Sequence, residues 1–276
     1  MAIEFSSTIR SKTEGREGFS IKNLELRELE HASPLIVLHD FRVTGRPFAP
    51  HPHAGFSAVT YVFEDSPGGL RARDSLGNDA VLEPGGICWT QAGSGLIHEE
   101  TPANPTRGLH GLQLFINLTA KNKISAPRVF RLQNWDVPQW RNNGDRVRVL
   151  VGSFEDVASP LTPSEPFTLL DADLRHKISI DLRTGDNAVV YVLEGQVRAS
   201  AKGGERTVPP ECAIGLHGSG SIKFEAAAAA HILILSGQEI REPMVTDGPF
   251  IMNDRAQIDE AFARYRSGAM GTLEPV

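Results

Sequence analysis

At 276 residues the chain is long enough for one large core or two cores of roughly 130 residues each. With 40% hydrophobic and 22% charged residues it reads as an ordinary soluble globular protein, and a net charge of −6 argues against direct nucleic-acid binding, which needs clustered Lys and Arg. Its two cysteines, Cys88 and Cys212, exclude a disulfide scaffold and a cysteine-rich zinc site, and read as small core residues.

The first 20 residues are polar and read as a loose arm or an edge strand. No apolar run marks the start as a signal peptide, and no stretch approaches the ~20 apolar residues of a membrane span. A cytoplasmic location is expected. From Leu35 onward, short apolar runs alternate with turn residues: Leu35-Ile36-Val37-Leu38, Phe56 to Phe63, Leu70 to Arg73, Ile87-Cys88-Trp89 and Leu109 to Leu118. Asp65-Ser66-Pro67-Gly68-Gly69, Pro84-Gly85-Gly86 and Ala92-Gly93-Ser94-Gly95 punctuate them as tight turns. Strands of this length with turns about every ten residues predict an all-β barrel or sandwich.

A Pro-, Trp- and Asn-rich stretch over 134–144 sets a domain boundary near residue 140. A second β-rich region follows, with runs at 147–151, 176–180, 188–193 and 230–235. The halves read as degenerate repeats, because Val59-Thr60-Tyr61-Val62-Phe63-Glu64 matches Val189-Val190-Tyr191-Val192-Leu193-Glu194 at an offset of 130. Beyond residue 242, Asn253 or Asp254 can cap a short C-terminal helix carrying Ile258, Ala261, Phe262 and Tyr265 at helical spacing, with Gly268 ending it. The expected division is 1–140, 141–242 and a tail over 243–276.

Within this frame, two short segments carry the chemistry. His51 and His53, and then His98 and Glu100, are pairs at i and i+2, and residues two apart on a strand share a face. If the segments face each other, three imidazoles and a carboxylate converge, a set that suits Fe(II), Mn(II), Ni(II) or Zn(II). Alternation turns Glu99 away toward solvent. The same steps around Tyr191 and Pro210 give Asp181, Arg183 and Phe224, so the second copy lacks the histidines. His31, His39 and His110 stand alone and read as hydrogen-bonded structural residues. Gln113, polar within an apolar strand, is either a satisfied core amide or a group behind the metal ligands.

The runs His51-Pro52-His53-x-Gly55-Phe56-x-x-Val59-Thr60-Tyr61, Ala92-Gly93-x-Gly95-x-Ile97-His98-x-Glu100 and His110 to Leu118 resemble the pirin family of the cupin superfamily. The tail from Glu242-Pro243 through Gly248-Pro249-Phe250-Ile251-Met252-Asn253 to Tyr265 is similar to the pirin C-terminus. The resemblance implies two cupin barrels, a double-stranded β-helix or jelly roll each, with a short C-terminal α-helix. It implies one mononuclear iron in the first barrel on His51, His53, His98 and Glu100, with manganese, nickel, zinc and copper as alternative metals. Ala54 stands where many pirins carry a basic residue and Ser57 where an acidic one is common, which bears on the pocket rim.

The function this implies is an Fe(II)-dependent dioxygenase of the quercetin 2,3-dioxygenase kind, taking a small aromatic flavonol-like substrate and O2. Glu100 is its expected general base, and Phe56 and other apolar groups at the barrel mouth its substrate contacts. The alternative is a non-enzymatic, redox-sensitive metal-binding regulator that engages a protein partner. A zinc or manganese sugar isomerase fits the motifs less well.

Overall fold

The computed structural model describes residues 2–45 and 48–275; Met1, Arg46 and Pro47, in the expected first domain, and Val276, in the tail, lie outside the described residues. Strands take 54% of the chain and helix 8%, which fixes the all-β class expected from the alternation. Among the described residues no helix is long and apolar enough to cross a membrane.

The chain divides into two compact units, and each takes pieces from more than one stretch of sequence. One unit comprises 13–23, 37–136 and 240–276; the other comprises the residues up to Lys12, 24–36 and 137–239. Against the expected cut near 140, the first residues fold with the later barrel and the tail folds with the earlier one. The reason is strand pairing: Glu4–Phe5 and Ile9–Arg10 both complete a sheet by pairing with Cys212–His217.

In the unit carrying the histidine dyads, one sheet runs Arg128–Leu132, Ile87–Gln91, Phe56–Val62, Leu109–Asn117, Leu35–Val43, Phe19–Leu24, Lys12–Arg16. A second runs His51–His53, Leu96–Pro102, Leu70–Asp74, Asp79–Leu82. The polar stretch at 12–16 is thus an edge strand.

The other unit repeats this arrangement. Cys212–His217, Asp186–Glu194, Ala230–Gln238, Phe167–Leu174 and Asp145–Val151 follow the order of Ile87–Gln91 through Phe19–Leu24. Lys177–Leu182, Gly220–Ala226, Val197–Ala201 and Gly204–Val208 repeat the four-stranded sheet. Tyr61 and Tyr191, the residues that define the 130-residue offset, are both fully buried on equivalent central strands. In the second barrel Ile178, Ile222 and Phe224 are buried in one apolar cluster with Val190 and Ile232. Phe224 pairs with Ala199 where Glu100 pairs with Ala72, so an apolar ring fills the corresponding register position.

The C-terminal helix spans Arg255–Arg266, and Asp254, not Asn253, caps it by accepting a 2.9 Å hydrogen bond from the Gln257 amide. Ile258 and Ala261 are buried and Phe262 packs against them, whereas Tyr265 is 41% exposed and falls off the buried face.

Candidate metal centre

His51–His53 pairs antiparallel with Leu96–Pro102, with His98 directly opposite His51 and Leu96 opposite His53. Strand alternation then puts His51, His53 and His98 on one face, and their ring centroids form a nearly equilateral triangle with sides of 4.8, 4.7 and 4.7 Å. The ligating nitrogens all lie within 4.8 Å of one another. His98 Nε2 and His51 Nε2 are 3.2 Å apart, a contact in which only one nitrogen can donate.

The outer ring atoms are held from behind. His51 Nδ1 lies 2.9 Å from the Ala49 carbonyl oxygen, and His53 Nδ1 makes a longer 3.5 Å contact with the Pro249 carbonyl oxygen. Donation of Nδ1–H to a carbonyl leaves Nε2 as the lone-pair atom facing inward. Burial pushes the His53 imidazolium down to about 3 and that of His98 well below its ordinary range, with the neighbouring histidines adding to both. Both rings are therefore neutral at physiological pH, the form that binds a cation. The donor set fits a transition metal ion.

Glu100 lines the same cavity but stands outside the tight triangle. Its Oε2 accepts a 2.5 Å hydrogen bond from the Thr60 hydroxyl. Burial pushes its carboxyl up to about 7, with the Thr60 bond pulling the other way. Thr60 also lies 3.2 Å from Gln113 Oε1, and Gln113 Nε2 donates to the Val59 carbonyl at 3.2 Å. Gln113 is accordingly both a satisfied amide and a group bordering the cavity. Thr60 escaped the sequence reading, although it sits directly across the strand pair from Gln113.

Two other expectations are corrected, those for Glu99 and Phe56. Glu99 does point away from His98 and Glu100, but it is buried rather than solvated and pairs with Arg73 at 2.9 Å. His39 lines the cavity together with the triad but stands outside the cluster of ligand nitrogens. Phe56 lies behind His53, with ring centroids 4.9 Å apart, while Phe115 takes the place in the cavity wall expected for it. His110 keeps the structural role, its two ring nitrogens 2.6 Å from Asp65 and 3.0 Å from Asp40.

The tail braces the turn that presents the dyad. Ala54 forms a parallel bridge to Phe250, and the Ile251 amide donates to the Ala54 carbonyl at 3.0 Å. Gly55 has φ +84°, and a side chain there would collide with the Ile251 carbonyl. Lys123, wholly buried, donates from Nζ to the carbonyls of Gly55 and Ile251, each at 2.9 Å, and to Asn117 Oδ1 at 2.6 Å. Burial pulls this ammonium down to about 8, against the attraction of Glu242.

Residues 8–116 match the family model for pirin, and 169–271 match that for the pirin C-terminal cupin domain. A pirin-like protein of Arabidopsis thaliana is 32% identical over 274 residues, covering 87% of this chain and 82% of its own length. The chain belongs to the pirin family. A Pseudomonas aeruginosa protein provisionally named a quercetin 2,3-dioxygenase is 36% identical over 237 residues, 81% of this chain and 80% of its own. Among solved structures, a quercetin 2,3-dioxygenase from Acinetobacter baumannii superposes with a TM-score of 0.84 at 25% identity, covering 99% of both chains. The pirin family's cupin fold is therefore the fold of this chain, and its three-histidine site is able to hold a metal ion.

Proposed function

We propose that this pirin is an Fe(II)-dependent dioxygenase of flavonol-like enols, with His51, His53 and His98 as metal ligands and Glu100 as the fourth ligand or proton-handling group. The observation that carries the reading is the histidine triangle beside the half-buried Glu100 carboxyl, both at the wall of one apolar cavity of about 220 Å³. A bound iron would supply Lewis acidity and the redox chemistry that O2 requires. The remaining work falls to the chain itself. Phe41, Val43, Leu70, Leu109 and Phe115 line the cavity with hydrocarbon, which suits an aromatic ring and keeps water out. Glu100, with its carboxyl near 7, can take the proton of an enol hydroxyl at neutral pH, and the Thr60 hydroxyl fixes the oxygen that stays behind. Similarity to proteins named as quercetin 2,3-dioxygenases supports the substrate class.

The test is aerobic incubation of iron-loaded protein with quercetin while following flavonol absorbance and oxygen uptake. Loss of both, abolished in His98→Ala together with a tenfold or greater fall in retained metal, is the expected outcome. Iron-replete protein that leaves quercetin and related flavonols untouched overturns the dioxygenase reading and favours the regulator. Failure to bind any transition metal overturns the site itself.

A further inference from the structure

The metal cavity has a charged neighbour. A second pocket of about 320 Å³ shares Phe19, Val43 and Leu109 with it as a common wall. Phe48, 45% exposed, lines the metal cavity and stands edge-on to Phe19 with centroids 5.4 Å apart, and Phe19 lines both pockets. Arg16, Arg42 and Arg107 line this second pocket together with His110, and no Asp or Glu does. In a chain with 34 acidic and 28 basic residues, such a lining is a local reversal of sign.

The three arginines come from separate segments: the edge strand Lys12–Arg16, the strand Leu35–Val43, and the turn before Leu109–Asn117. Arg42 is 3.7 Å from Asp65, which is itself hydrogen-bonded to His110, so one cation is braced from outside the lining. Arg16 and Arg107 form no ion pair among the described residues, and Glu14 and Glu17 beside Arg16 lie outside the lining. Guanidinium forks at a concave surface match the geometry of an oxyanion. The metal cavity, at about 220 Å³, falls short of the roughly 300–1,000 Å³ that enclose ligands of drug size. A flavonol-sized compound with its enol at the histidines is not wholly enclosed by this volume, and Phe19, Val43 and Leu109 are the residues the cavity shares with the arginine pocket.

We propose that the arginine pocket binds an oxyanion substituent (sulfate, phosphate or carboxylate) on the far ring of the aromatic compound whose enol end enters the metal cavity. The inference rests on the dioxygenase reading and narrows its substrate class to anionic aromatics.

The test compares quercetin with quercetin 3′-sulfate on the iron-loaded full-length protein, by fluorescence quenching for affinity and oxygen uptake for turnover. The sulfated compound should bind at least about tenfold more tightly, and Arg16→Ala and Arg107→Ala should each drive the ratio of the two affinities toward one. The preference should shrink as salt rises from about 0.05 M to about 0.3 M, and inorganic sulfate should compete with the sulfated compound more than with quercetin. Equal affinities, or variants that weaken both compounds alike, overturn the proposal even if quercetin is consumed. Arg-dependent binding of the sulfated compound with no oxygen uptake for either overturns the dioxygenase reading and leaves the oxyanion site standing. Binding of free sulfate or phosphate without a preference for the sulfated flavonol overturns the attachment to the substrate.

Discussion

Glu100 carries a cost that the free protein can reveal. Its carboxyl titrates near 7 in the folded chain, above the usual carboxylate range, because burial penalises the charged form. The folded state thus holds a proton that the unfolded chain has already released, and stability is fully present below the unfolded value and lost as pH rises through about 7. In chelator-treated protein, Glu100→Gln should remove this loss. We expect it to be more stable than the parent by about 1–3 kcal/mol at pH 8 and close to it near pH 4.5, measured by urea denaturation. A variant no more stable at pH 8 would contradict the buried carboxyl. The gain in stability should accompany a loss of oxygen uptake, since the same protonatable oxygen is assigned to the substrate.

The strand pair that presents the histidines depends on the tail, and Lys123 is the tie between them. Its ammonium satisfies three acceptors, two of them backbone carbonyls on the dyad turn and on the tail strand Phe250–Met252. Lys123→Met keeps the bulk but strands those carbonyls, which should cost about 2–4 kcal/mol. Hydrogen exchange should quicken at the Ile251 amide, whose bond to Ala54 lies beside the broken contacts. Unchanged exchange at Ile251 together with unchanged stability would show that the tail holds the dyad without the lysine.

The later barrel makes its own contribution to how the whole molecule responds to pH. Burial lowers the affinity of His231 for a proton, but Asp171, hydrogen-bonded to its Nε2, and the nearby Asp173 and Glu194 outweigh this and raise it to about 9. The stability from this pair is fully present below about 6.5 and is lost as pH rises through about 9. His231→Asn should flatten the decline in melting temperature between those limits and cost about 1–3 kcal/mol at pH 6.5. A parent protein whose melting temperature does not fall across this range would refute the charged pair.

The amino-acid sequence by itself determined the elements and the residues that matter chemically. Period-two alternation marked the strands, the 130-residue echo around Tyr61 and Tyr191 marked the duplicated barrel order, and i, i+2 spacing marked the histidines, because all three are local regularities of an extended backbone. What depended on tertiary structure was everything set by pairing across distance. The register that puts His98 opposite His51, the return of residues 4–10 to the later barrel, and the tail folding back onto Ala54 all involve partners that no spacing encodes. Thr60 went unread for the same reason: its links to Glu100 and Gln113 run to other strands rather than through its own sequence context. Glu99 shows the limit most plainly, since alternation gave its direction correctly, but only the packed fold supplied Arg73 and buried them together.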